Sequence, residues 1–133
     1  MFVHRLTEPQ KRAFFGLASE MIAADLEIAD REMNYLRRLL DESGRDGELD
    51  EIGGDVDIDR SIFDDREARL AVTVEILIIA AIDGDLHRDE ASFANALIYD
   101  FGINETERRK LVQVAGNISS AMTGVEQLIG GEI

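Results

Sequence analysis

Six carboxylates carry the chemistry this chain could do. Asp25, Glu27 and Glu32 stand in Asp25-Leu26-Glu27-Ile28-Ala29-Asp30-Arg31-Glu32, and the pattern returns 58 residues later as Asp83, Asp85 and Glu90 in Asp83-Gly84-Asp85-Leu86-His87-Arg88-Asp89-Glu90. Acids at positions one and three of a turn, with another in the first turn of the following helix, offer oxygen donors from several directions. Hard divalent cations take oxygen donors, so the expected ligand is Ca2+, Mg2+ or Mn2+. Capping competes with this reading at Glu32 and Glu90. If Ala29 and His87 are the caps, both glutamates occupy the third helical position, where free backbone amides and the positive end of the helix dipole stabilise a carboxylate without any metal. For Asp25, Glu27, Asp83 and Asp85 the competing reading is a solvated turn.

Other chemistries are poorly supplied. An EF-hand loop needs glycine at position six and glutamate at twelve. Counting from Asp83 gives Arg88 and Ala94, from Asp25 Asp30 and Leu36, and from Asp46 Glu51 and Asp57. A carboxylate-bridged dimetal bundle would need Glu-x-x-His pairs; His87-x-x-Glu90 has the reverse order, and Ala29 stands at the matching place in the first copy. His4 lies near the start of the sequence given and carries less signal still. Cysteine is absent, which removes thiolate nucleophiles, disulfides and thiolate metal sites. No serine sits in a Gly-x-Ser-x-Gly elbow, and Gly53-Gly54 lacks the Lys-Ser/Thr of a phosphate loop. The sequence names no catalytic residue, and the expectation is a protein that is not an enzyme.

The elements that would position these acids read as helices. Thr7-Glu8-Pro9-Gln10 has the form of a helix start, with Thr7 as cap and Gln10 returning the bond. Phe14, Leu17, Ala18, Met21 and Ile22 follow at helical spacing up to Asp25. A second helix from near Asp30 carries Met33, Leu36, Leu39 and Leu40, with Gly44 as its stop. Residues 41–65 hold 11 of the 28 acids and four glycines, and read as a mobile acidic loop. From Leu70 to Ile82 only Thr73 and Glu75 interrupt an apolar run. Its β-branched residues would suit a buried strand, but its alignment with the first copy and its length favour a central helix. Phe93, Ala94, Leu97, Ile98 and Phe101 then face inward up to Gly102. Asn104-Glu105-Thr106-Glu107 reads as a capping box, followed by Leu111, Ala115, Ile118 and Met122, with a helix end near Gly124 and one short turn over Val125 to Ile129. Leu39, Leu40 and Gly44 align with Leu97, Ile98 and Gly102 at the same offset. The reading is an all-α, compact single-domain helical bundle over residues 1–133 with internal duplication.

The charge balance bounds the partners. Acids number 28 against 14 bases, a net charge of -14. Such a field repels phosphate backbones and anionic lipid, and favours cations and basic protein surfaces. Nucleic acid is therefore not expected as a partner. Arg37-Arg38 and Arg108-Arg109-Lys110 read as solubilising spots or internal partners for the acids. No run approaches the roughly 20 apolar residues needed to cross a bilayer, and the first residues lack a signal-peptide pattern, so the expectation is a cytoplasmic protein without membrane insertion.

The repeated Asp-x-acid-aliphatic-x-x-x-Glu turn resembles the TerB-like family associated with tellurite resistance, over roughly residues 10–122. The resemblance implies a compact all-helical domain of the kind used in stress responses and larger assemblies. It also implies an acidic metal-binding surface, on Asp25, Glu27, Glu32, Asp83, Asp85 and Glu90 by motif position. The chain departs from that pattern at Leu26, where glycine is typical, and at Ala29 and His87, where a capping Ser, Thr or Asp is typical. Asp83 and Asp85 are thus the leading ligands and Asp25 and Glu27 the second pair. The expected function is a non-catalytic TerB-like binding module that takes a divalent cation. Its alternative is an acidic interaction or scaffold domain binding a basic partner without metal, and a third reading is a metal-dependent hydrolase.

Overall fold

The computed structural model describes residues 2–24, 30–42, 60–82 and 88–130. Five helices account for most of them: α1 (Glu8–Ala24), α2 (Asp30–Glu42), α3 (Arg66–Ala81), α4 (Arg88–Asp100) and α5 (Glu105–Gly130). Two 3-10 turns, Val3–Arg5 and Arg60–Ile62, precede α1 and α3, and the described residues contain no strand. The protein is all-α, as its periodicity predicts.

Helix α1 begins with the reciprocal bonds expected of its sequence. The Gln10 amide donates to the Thr7 hydroxyl at 3.3 Å and the Thr7 amide to Gln10 Oε1 at 3.0 Å. At α5 half of the expected box forms: the Glu107 amide donates to Asn104 Oδ1 at 2.8 Å, while the Glu107 carboxylate pairs with Arg66. Helix α4 is stopped just beyond Asp100 by Gly102, whose φ of +70° is the left-handed conformation that glycine adopts without a Cβ penalty. The Gly102 amide donates to Tyr99 O at 3.0 Å and the Ile103 amide to Ile98 O at 3.2 Å, the pair of bonds that satisfies orphan carbonyls at a helix end.

Helix α3 is the hub. Every residue from Ala71 to Ala80 is buried, and its neighbours include all four other helices. That enclosure explains how a run rich in β-branched residues becomes a helix: burial on every side outweighs their modest helix penalty. Around it lie Phe14, Phe15, Leu17, Met21, Leu36, Leu39 and Leu97, each at most 1% exposed.

The helix starts keep the spacing of the acidic motifs. Helices α1 and α3 begin at Glu8 and Arg66, and α2 and α4 at Asp30 and Arg88, both 58 residues apart. Burial keeps the same register: Phe14, Ala18 and Met21 match Val72, Ile76 and Ile79, and Leu36, Leu39 and Leu40 match Ala94, Leu97 and Ile98.

Two sequence expectations give way. The acidic stretch 41–65 is not loop throughout, because Asp41 and Glu42 close α2 and residues 60–65 are built into the body around Phe63, which is 0% exposed. Asp65 caps α3, its Oδ1 accepting the Ala68 amide at 2.7 Å. Residues 43–59, Gly44 among them, lie outside the described residues. The last helix does not end near Gly124 but runs on to Gly130. A lone helical glycine costs only about 1 kcal/mol relative to alanine, and Gly124 does not adopt the left-handed conformation found at Gly102.

Candidate functional site

Helix boundaries place the acidic motifs between consecutive helices in chain order. The stretch 25–29 separates α1 from α2, and 83–87 separates α3 from α4. Asp25 and Asp83 follow in sequence on the negative ends of α1 and α3, whose partial charge adds to that of a carboxylate and favours a cation nearby. Glu32 and Glu90 are third residues of α2 and α4, where the dipole stabilises a carboxylate. Asp25, Glu27, Asp83, Asp85 and His87 lie outside the described residues, as do the side chains of Glu32 and Glu90. Among the described residues no group of three or more acids or histidines is placed to hold a metal ion.

The described polar chemistry nearest the core is at Glu75. It sits midway along α3 with 1% of its surface exposed. Tyr35, itself 4% exposed on α2, donates its hydroxyl to Glu75 Oε2 at 3.0 Å, and the Phe2 amide donates to Oε1 at 3.2 Å. Burial pushes the Glu75 carboxyl above its ordinary value, and the bonds from Tyr35 and Phe2 pull it partway back. In the 58-residue register Glu75 stands where the first half carries Leu17, also buried. One carboxyl thus joins α2, α3 and the 3-10 turn at Val3–Arg5. The sequence shows Glu75 as an acid in an apolar run, which is the signal for a buried polar junction, but Tyr35 lies 40 residues away and nothing local marks it as the partner.

Tyr35 also lines a small cleft of about 180 Å3, together with Asn34, Arg38, Ile82 and Glu126. Arg38 and Glu126 close it with an ion pair at 3.2 Å between α2 and α5. Ile82 is the last described residue before Asp83. A second, mostly apolar cleft of about 210 Å3 lies among α3, α4 and α5, between Leu77, Ala91, Ala94, Val112 and Ala115, with Arg108 at its rim.

No family model, curated protein or solved structure matches this chain. The basic spots read from sequence take up internal acids, as expected for one of their two readings. Arg38 pairs with Glu126, and Arg108 and Arg109 both pair with Glu105. The hydrogen bond from Arg108, helped by Arg109, draws the Glu105 carboxyl down to about 2. No helix among the described residues is long and apolar enough to cross a membrane.

Proposed function

We propose that this chain is a non-catalytic, TerB-like helical binding module whose two acidic turns take a divalent cation, with Asp83 and Asp85 as the leading ligands. The observation that carries the reading is the coincidence of helix boundaries with the acidic motifs at one 58-residue offset. Equivalent burial in the two helix pairs supports a duplicated unit, and a duplicated unit that keeps its acids at equivalent interhelical positions suggests that those acids have a shared use. Each motif starts at the negative end of a helix, which disfavours an anionic ligand and suits a cation. Glu32 and Glu90 combine with this reading through their place in the first turn of the next helix. Cytoplasmic location and a role in a stress response belong to the same proposal, through the resemblance.

Calorimetric titration of Ca2+, Mg2+ and Mn2+ into metal-free protein tests it. Saturable binding to the native chain, lost or strongly weakened in Asp83→Asn and Asp85→Asn, is the expected result. Titrations without saturable heat for all three ions would remove the metal reading.

A second reading rests on the net charge of -14. In it the acids select a basic protein surface and need no ion. Capture from a cell extract at low and high salt separates the two: a basic partner that survives chelation and is released by salt favours this version, because exposed charges are screened within about 8 Å at physiological ionic strength.

A further inference from the structure

In the 58-residue register α4 carries Ala91 and Ala94 where α2 carries Met33 and Leu36. Both larger residues pack into the core, Leu36 with 0% of its surface exposed. A hollow lies where α4 has the small side chains instead. The cleft of about 210 Å3 among α3, α4 and α5 is lined by Ala91 and Ala94, with Leu77 of α3 and Ala115 of α5. A Cβ built on Gly116, which also lines it, would meet nothing within 4 Å. Protein interiors are packed about as closely as organic crystals, so an unfilled space whose lining includes the buried Leu77, Ala94 and Ala115 stands out.

We infer that this hollow binds a small uncharged apolar molecule with one oxygen acceptor, of the size of a single ring with a short arm. Volume sets the body of the ligand. An engineered apolar cavity of about 150 Å3 takes up benzene, and the larger space here has room for a ring and a short substituent. Apolar walls with a few polar groups are the usual make-up of a small-molecule site.

The polar lining sets the head of the ligand. Arg108 and Asn95 border the cleft. Arg108 Nε and Nη2 donate to Glu105 at 2.8 and 2.9 Å, while its Nη1 has no partner among the described residues. Asn95 is exposed, and its side-chain amide likewise makes no bond among the described residues. A carbonyl oxygen on the ligand would meet these donors. A carboxylate is disfavoured, because Glu105 already matches the charge of Arg108 and the chain as a whole carries -14. None of these residues belongs to the acidic turns, so the inference stands apart from the cation reading.

Acetophenone, titrated into the full chain and followed by amide NMR shifts, tests it. Saturable shifts centred on Leu77, Ala94 and Ala115 are the expected result. Ethylbenzene, which has nearly the same outline without the oxygen, should bind about three- to tenfold more weakly for want of one hydrogen bond. Benzoate should also bind more weakly. Ala94→Leu restores the residue that α2 has at this position and should abolish the shifts, with the helical circular dichroism of the native chain retained. Ala91→Met fills the hollow from a half-buried position and should weaken binding, which keeps the test decisive if Ala94→Leu does not fold. A native chain without saturable shifts, binding unchanged in the folded variants, or ethylbenzene or benzoate binding as tightly as acetophenone would each overturn the proposal.

Discussion

Phe63→Ala should destabilise the protein by about 3–5 kcal/mol, seen as a fall in the urea midpoint with little change in slope. A domain of this kind has only about 5–15 kcal/mol in total, so the loss would be a large part of it. The argument starts from complete burial. Phe63 is 0% exposed and meets the Phe101 ring edge-on at 5.7 Å between centroids. Its backbone is held independently of the ring: Arg69 Nε donates to Phe63 O at 2.7 Å, and Gln10 Nε2 to Ile62 O at 3.1 Å. Arg60 pairs with Asp100 and lies over the Phe93 ring at 5.6 Å. Because these bonds keep the segment in place, it cannot collapse into the space that the ring leaves, and a cavity that cannot collapse is the costly kind. Phe63→Leu, which retains much of the volume, should cost clearly less. A loss below about 1 kcal/mol in Phe63→Ala would show that residues 60–65 are not fastened as the structure has them.

That residue also shows where the sequence stops being legible. Several helix starts and stops are readable from a local signal. Thr7 with Gln10, Asn104 before Glu107, and Gly102 after Phe101 each act within a few residues, and each does what its type predicts. Phe63 was hidden because its burial depends on Phe101 and Gln10, both distant in the chain, while its neighbours Ser61, Asp64 and Asp65 are polar. Asp65 did give a local sign, since an aspartate ahead of a long apolar run is a good helix cap. Gly124 misled in the opposite direction. Glycine ends a helix when the backbone turns left-handed, as at Gly102, and the residue type alone does not distinguish that case from a glycine kept inside a helix.

The candidate site divides in the same manner. The six acids are visible as a motif because type and spacing are sequence properties, and the helix starts at Asp30 and Arg88 agree with the third-position reading of Glu32 and Glu90. Whether two motifs 58 residues apart converge on one ion depends on distances between helices, which spacing along the chain does not encode. The Tyr35–Glu75 junction is of that second kind. Its donor and acceptor come from the two halves of the 58-residue pattern, at positions where the counterpart residues are Phe93 and Leu17. The residues 58 positions away from the polar pair are both apolar, so the 58-residue spacing gives no sign of it.

Glu75→Gln should gain stability relative to the native chain as pH rises. Burial holds the Glu75 carboxyl above its ordinary 4.5, so folding favours the protonated form. The sign follows by linkage. A carboxyl with a raised folded value contributes its stability below about 4.5, and that contribution is lost as pH climbs through the raised value, because the native state then has to release a proton that it holds more tightly than the unfolded chain does. Glutamine keeps the shape and an oxygen for the Phe2 amide, while its NH2 can donate to the Tyr35 oxygen, and it never ionises. The difference in unfolding free energy between Glu75→Gln and the native chain should be small near pH 4, grow through the weakly acidic range, and level off once Glu75 is ionised. Tyr35→Phe should act in the opposite direction. It removes the 3.0 Å bond that stabilises the carboxylate and should cost about 1–2 kcal/mol at pH 7, with a smaller loss in acid. Urea unfolding of the three proteins from pH 4 to 8 reads both effects against the same background of surface charge. A gap between Glu75→Gln and the native chain that does not change with pH would mean that Glu75 is ionised to the same extent folded and unfolded, and that its burial in α3 does not set its protonation.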